Sequence, residues 1–369
     1  MGRHESITRY ITKEKRGIEI GAWYNGVAPK RLGYNCLILD VFDTATLRSR
    51  AEKDPSVSPD MAINIEGVDL VGSSTLIAQL VEGIDALGQF DYIVASHNLE
   101  HTPDPITFFQ GCERVLKPDG YLSMIVPDRR GCFDYFRPNS TTAELVAAYF
   151  EKRSRPSDAQ VFEQHSLHAR RVNGADQEIV FPFSTDPHEI IPFQHLDTEL
   201  DYWKRRIHSG DDSYRDAHCW AFTPASFELV LLDLGFLGLT KFDVAEMEST
   251  DGEFFVHLHN SGRFSMSERD FYERRTHLLL RANDEASIAA PRVRKLESEI
   301  ASSRETISRL EEQSNACRET ISMLEEQSNL FRQEAQKAIE DLCAIRESTS
   351  WRLTSLLRAV SSGFRKVAR

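Results

Sequence analysis

The 369-residue chain has no C-x-x-C pair; its six cysteines, Cys36, Cys112, Cys132, Cys219, Cys317 and Cys343, are scattered. That spacing signals neither a zinc ribbon nor a disulfide framework, and it fits reduced, mostly buried thiols in a cytoplasmic protein. No run approaches the roughly 18–20 apolar residues of a membrane-spanning helix. The best candidate, 227–239, is shorter and carries Glu228 and Asp233. The N-terminus has no apolar h-region, so it does not read as a signal peptide, and its literal match to M-G-x-x-x-S is too short to be specific. Basic residues are outnumbered, 44 Lys and Arg against 57 Asp and Glu, for a net charge of −13. Such a surface repels phosphates, which argues against a nucleic-acid binder. What remains is a soluble composition, 41% apolar and 27% charged, long enough for about two domains or one large domain with extensions.

Up to about residue 130, short apolar runs alternate with helical stretches. Strands are expected at 17–20, 35–39, 67–71, 90–95 (FDYIVA) and 121–126 (YLSMIV), with helices at 44–54, 74–86 and 105–116. Continuous apolar strands alternating with helices mean a parallel sheet covered on both faces. Residues 135–215 break this rhythm. They are rich in His, Phe and Pro, partly helical near 142–153, show no clear strand, and read as an insertion or lid. The rhythm resumes with a helix begun by Thr223-Pro224 and ended by Gly235. Two strands, 239–245 and 253–259, follow and are joined closely enough to pair antiparallel.

The composition changes near Pro291. RETISRLEEQSN at 304–315 recurs as RETISMLEEQSN at 318–329, a repeat of 14 residues or two heptads. With Ile300, Ile307 and Ile321 at a, and Leu296, Leu310, Cys317 and Leu324 at d, the seam is that of a coiled coil, which predicts self-association. The last 22 residues, 348–369, carry five basic residues and no acid. Leu353, Leu356, Leu357, Val360, Phe364 and Val367 recur at helical spacing behind Trp351. A cationic amphipathic helix of this kind suits a peripheral membrane contact.

Chemistry concentrates at the strand ends. Glu19-Ile20-Gly21 closes the first strand, where only glycine lets a ligand approach the backbone. Asp40 ends the second strand 21 residues after Glu19, the place where doubly wound folds put a carboxylate for ribose hydroxyls. The full G-x-G-x-x-G is missing, because Trp23 stands where its second glycine belongs. That disfavours a pyrophosphate on the helix terminus and favours a ribose-bearing cofactor without phosphates. His97-Asn98-Leu99-Glu100-His101 fits the zinc pattern H-x-x-E-H. It leaves a buried strand directly for Pro103 and Pro105, however, so the helix that pattern needs is not expected and no metal is assigned.

GIEIGAWYNGVAPK, NCLILD, FDYIVASHNLEH and RVLKPDGYLSMIVPD together resemble the motifs of class I S-adenosylmethionine (SAM) dependent methyltransferases, over roughly 15–130 and 217–260. The resemblance implies a Rossmann-like, doubly wound α/β fold. Its seven-stranded sheet would have the order 3-2-1-4-5-7-6, with a mostly helical insertion and then the coiled-coil helix. It implies SAM as cofactor, with Glu19, Gly21 and Ala22 at the methionine end and Asp40 on the ribose. Asp69 would sit near the adenine, and Ser96 and His97 would face the cofactor. For methyl transfer, His97 is the candidate base, at a strand end and titrating near neutrality, with Asp128 across the same crevice. His165, His168, His195 and His218 belong to the insertion or its exit and would close over an acceptor.

The segment Ser348-Thr349-Ser350-Trp351-Arg352-Leu353-Thr354 is similar to the S-x-S-W-R-x-T segment that follows coiled coils in bacterial glycosyltransferases and methyltransferases of surface-polysaccharide assembly. This implies O-methylation of a saccharide on a lipid-linked glycan at the inner face of the cell membrane. Two other readings stand beside it: a weakly catalytic scaffold, to which Trp23 points, and a methyltransferase for a small metabolite or a protein. The expected organisation is a methyltransferase domain over 1–262, a linker over 263–290, a coiled coil over 291–347 and a tail helix over 348–369.

Overall fold

A computed structural model describes residues 2–173, 176–287, 290–355 and 358. The chain divides into two compact units, Met1–Arg292 and Val293–Arg369.

Among the described residues the first unit has ten strands: β1 (Arg16–Ile20), β2 (Asn35–Asp40), β3 (Leu70–Val71), β4 (Phe90–Ser96), β5 (Leu116–Pro127), β6 (Ala169–Asn173), β7 (Asp176–Glu178), β8 (Ile190–Pro192), β9 (Phe242–Ser249) and β10 (Glu253–Asn260). Seven of them form one sheet in the order β3-β2-β1-β4-β5-β10-β9. The first five are parallel, and β10 is antiparallel to both β5 and β9. This is the expected Rossmann-like order, with β9 and β10 as the sixth and seventh strands.

Alternation along each strand supplies the two faces. On one face, Ile18, Ile93, Met124 and Val256 pack with Phe108, Phe109 and Phe227 of helices Pro105–Val115 and Pro224–Phe236. On the other, Tyr92, Val94, Ile125 and Phe255 meet Ile7 and Ile11 of the N-terminal segment. The β1–β4 contact is so close that a Cβ at Gly17 would lie 2.0 Å from the Tyr92 ring, so only glycine fits there. Helix starts follow their caps: Asp43 accepts from the Thr46 N–H (2.7 Å) and Asp104 from the Thr107 N–H (3.0 Å).

Three expectations change. The insertion has helices Thr142–Glu151, Asp158–Ser166 and Leu196–Ser209, but it also holds a small antiparallel sheet in the order β7-β6-β8. Strands of three to five residues reading ARRVN and DQE are too short and too charged to show an apolar alternation. Residues 263–290, read as a linker, contain helix Glu268–Ala286, whose Phe271 and Leu278 pack on Leu232 of Pro224–Phe236. That helix does not stop at Gly235, which lies inside it.

Helix Ala290–Glu347, which makes up most of the second unit, runs for 58 residues. Its seam residues Ile307, Leu310, Ile321 and Leu324 are each more than half exposed. A short helix, Thr349–Leu353, follows, capped by Ser348, and the Arg358 guanidinium lies 3.5 Å from the Trp351 ring centroid. The remaining tail positions, Leu356, Leu357 and 359–369, lie outside the described residues. Among the described residues, no helix is long and apolar enough to cross a membrane.

Candidate active site at the carboxyl edge of the sheet

The strand order reverses between β1 and β4, and at such a switch point the flanking loops part and leave a crevice beyond the strand ends. Here it is a cleft of about 700 Å³, within the usual range for small-molecule sites. Its walls are Ile20 and Gly21 from β1, Asp40 to Phe42 from β2, Gly72 to Ser74 after β3, and Asn98 and His101 to Pro103 after β4. Leu39 and Arg50 add to it, as do Ser154, Tyr214 and Asp216 from the insertion and its exit.

Gly21 has φ +67 and faces open space, its nearest neighbour being Asn98 Nδ2, 4.0 Å from where a Cβ would stand. A side chain there would be strained and would project into the cleft. Trp23 also takes a left-handed conformation, φ +44, which costs about 1–2 kcal/mol for a residue with a Cβ. Its side chain packs against the buried cluster of Leu47, Ala51 and Ile65 and beside the Tyr24 ring, and it does not line the cleft. Glu19 and Ala22 are buried and do not line it either. Glu19 instead accepts hydrogen bonds from the Val27 and Ala28 N–H groups (2.5 and 2.9 Å), which curls the loop after β1 back on the strand. Burial pushes its carboxyl above the usual range, against those two bonds.

Asp40 keeps capacity to spare. Oδ1 accepts from the Phe42 N–H (3.0 Å), and the carboxylate stands in the cleft wall, its pKa raised by partial burial. Asp69 is placed differently. It accepts from the Ile38 N–H (2.7 Å) and pairs with Lys30, tying β3 to β2, and it is not part of the wall. Ser73 and Ser74 take the place expected of it.

The two residues expected to carry the chemistry are engaged elsewhere. His97, at φ +50, turns toward Glu253, with Nε2 3.0 Å from Oε2, while Nδ1 lies 3.5 Å from Glu100 Oε1. Burial opposes its charge, but the two carboxylates outweigh it and hold the imidazole up at about 9. It is therefore protonated at neutral pH and a poor base, and neither it nor Ser96 lines the cleft. Asp128 is fully buried and accepts from Arg130 Nε (2.9 Å), Nη2 (2.6 Å) and backbone N–H (3.0 Å). It organises the turn after β5.

In their place the cleft presents His101. Its Nδ1 is 3.0 Å from Asp216 Oδ1, which also accepts from the Tyr214 hydroxyl (3.0 Å). The His101 hydrogen bond holds Asp216 down at about 2, against partial burial. His101 itself is desolvated, yet Asp216 and Glu100 raise its pKa overall. Of the insertion histidines, His165, His168 and His195 lie off the cleft. His218 is buried behind it, with Nδ1 2.5 Å from Asp134 Oδ2 and its ring perpendicular to that of His101. His101 was visible in HNLEH, whereas Tyr214 and Asp216 sit in an irregular stretch with no periodic signal.

Residues 58–124 match the family model described as a methyltransferase domain. In sequence the chain is similar to the ubiquinone biosynthesis O-methyltransferase of Marinobacter nauticus, 26% identical over 121 residues, 29% of this chain and 48% of that protein. It is also similar to the one of Actinobacillus pleuropneumoniae serotype 5b, 28% over 88 residues, 24% and 35% of the two chains. The chain thus spans half or less of the length of these curated relatives. Among solved structures it is similar to an S-adenosylmethionine dependent methyltransferase from Mesorhizobium loti (12% identity, TM-score 0.35, 70% of this chain and 98% of that one). Another is a SAM-dependent methyltransferase from Methanosarcina mazei (14%, TM-score 0.33, 69% and 95%). Sheet order and crevice define a Rossmann-like fold, and the matched segment is similar to a methyltransferase domain, a family whose cofactor is SAM. The cleft fits that group, with an open glycine cradle at Gly21 and a carboxylate with a spare oxygen at Asp40.

Proposed function

We propose that the chain is a SAM-dependent O-methyltransferase acting on a hydroxyl of a saccharide carried by a lipid-linked glycan. The observation that carries the enzymatic reading is Gly21 and Asp40 lining one cleft at the strand-order reversal. When bound, SAM would supply a sulfonium methyl to the acceptor oxygen, sulfur keeping the bonding pair and the acceptor's proton passing to solvent. Asp40 would accept from the ribose hydroxyls, and Gly21 would let the methionine end approach the backbone. His101, oriented by Asp216, stands in the wall of the same cleft. Holding donor and acceptor in line is the main catalytic contribution for such a displacement. Trp23 supports this reading over the scaffold, since its ring leaves the cleft open.

The similarity to ubiquinone biosynthesis O-methyltransferases supports oxygen as the acceptor atom. The saccharide rests on the tail segment that begins at Ser348, and it is tested by S-adenosylhomocysteine formation from SAM with isolated lipid-linked glycans. Product formed only with ubiquinone-type phenols would overturn the saccharide and keep the enzyme.

The coiled-coil helix makes the chain a homo-oligomer by burying the seam of Ile307, Leu310, Ile321 and Leu324. Replacing Leu310 and Leu324 by Asp should yield monomers in sedimentation, and an unchanged mass would refute the seam. The basic tail holds the protein on the cytoplasmic face of an anionic membrane, so deleting 348–369 should abolish pelleting with anionic vesicles.

A further inference from the structure

The Glu100 carboxylate is buried, with 1% exposure, and its ion pair with His97 leaves both oxygens without a hydrogen bond. The His97 nitrogen at 3.5 Å is beyond good hydrogen-bonding distance. A buried carboxylate left this way is costly unless something else satisfies it.

What faces it is imidazole. One donor atom each from Glu100, His101 and His218 lie within 4.8 Å of one another, and the two rings stand perpendicular with centroids 4.7 Å apart. The chain holds them there. A 3₁₀ turn, Leu99–His101, carries the first two. The Cys219 N–H donates to the Glu100 carbonyl (2.6 Å), pinning the segment that bears His218 against that turn. Each imidazole commits Nδ1 to a carboxylate outside the trio, His101 to Asp216 and His218 to Asp134. Asp134 is fixed in turn by Arg137 (2.9 Å). A carboxylate on Nδ1 sets the ring's orientation and leaves the Nε2 lone pair to bind, as outer carboxylates do for metal-bound histidines.

We propose that Glu100, His101 and His218 form a site for a divalent ion of the zinc class at the wall of the cleft. Two imidazoles and a carboxylate suit that class, whereas magnesium and calcium take mainly oxygen donors. Three protein ligands leave a further coordination position. Because His101 also lines the cleft, that position can take an oxygen of a molecule held there. The H-x-x-E-H pentapeptide thus contributes two of the ligands. The histidine that completes the set is not His97, which is turned to Glu253, but His218 from beyond the insertion. The competing account is a proton-balanced cluster in which the imidazoles neutralise Glu100 and no ion binds.

The test is a Co²⁺ titration of tag-free, chelator-stripped full-length protein, followed by visible absorption and then displacement with Zn²⁺. The expected result is one equivalent bound, with protons released as the ligands lose them. Glu100→Gln, nearly isosteric, should weaken binding more than about 100-fold, and Asp134→Asn by about 10–100-fold. His97→Gln should change it less than either, because His97 is not a ligand and its Nε2 is turned to Glu253. Circular dichroism checks folding, and His101→Asn, at the cleft surface, serves if Glu100→Gln does not fold. No stoichiometric Co²⁺ uptake by the wild type, or uptake unchanged in both Glu100→Gln and His101→Asn, would overturn the site. Neither readout involves SAM, so failure here is distinct from failure of the methyltransferase reading.

Discussion

Along the carboxyl edge of one sheet, the ends of β1 and β2 and the ends of β4 and β5 treat their polar groups in opposite ways. Over β1 and β2 the groups that reach the cleft are left free: Gly21 faces open space and Asp40 retains an unused oxygen. Over β4 and β5 the corresponding groups are turned from the cleft and consumed by the chain, His97 by Glu253 and Asp128 by Arg130. Standing at a strand end is therefore not enough to make a residue functional. What matters is whether its hydrogen-bonding capacity survives folding.

The contrast can be broken from the consumed side, where the largest effects on stability are expected. Asp128→Ala should cost about 3–5 kcal/mol of folding stability, because it strips the partner from a largely buried arginine. Urea denaturation measures this, and SAM affinity of the folded fraction should not change. Loss of SAM binding at unchanged stability would move Asp128 into the site.

A smaller effect comes from His257 on β10, buried between the Ser123 hydroxyl and the Ser6 carbonyl. Burial drives its pKa down to about 4 from 6.5, so it folds neutral. A depressed histidine contributes stability that is present above pH 6.5 and is lost as pH falls toward 4. His257→Gln should flatten that loss by on the order of 2–3 kcal/mol at one proton's linkage, read from melts across pH 4–7. Parallel pH profiles for mutant and wild type would refute it. The smallest effect is expected at His97: His97→Gln should leave kcat within about 3-fold, well below the 10²–10⁴ of a true general base. A loss in that larger range would restore His97 as the base.

The sheet was legible because its strands are continuous apolar runs between turn signals, and NCLILD and FDYIVA became β2 and β4 almost to the residue. Helix Glu268–Ala286 was missed because Phe271, Leu278 and Ala282 are sparse anchors in a charged stretch. Gly21 and Asp40 could be placed by spacing alone, since adjacent parallel strands bring their ends together. The pairing of His97 could not be read, because Glu253 arrives from a strand 156 residues away. For Asp128 the signal was at hand in Asp128-Arg129-Arg130, where a cation two residues on can fold back over the carboxylate. Asp216 and Tyr214 come from an exit segment without regular structure, so no period could have placed them in the cleft.

The central claim concerns the free side of the edge and is tested most directly by calorimetric titration of SAM into wild type, Asp40→Ala and Asp69→Asn. The account predicts saturable binding to the wild type, about 10–100-fold weaker binding to Asp40→Ala through the loss of charge-assisted hydrogen bonds, and no change beyond about 3-fold for Asp69→Asn, whose carboxylate serves Ile38 and Lys30. Absence of SAM binding to the wild type, or equal losses in the two variants, would contradict it.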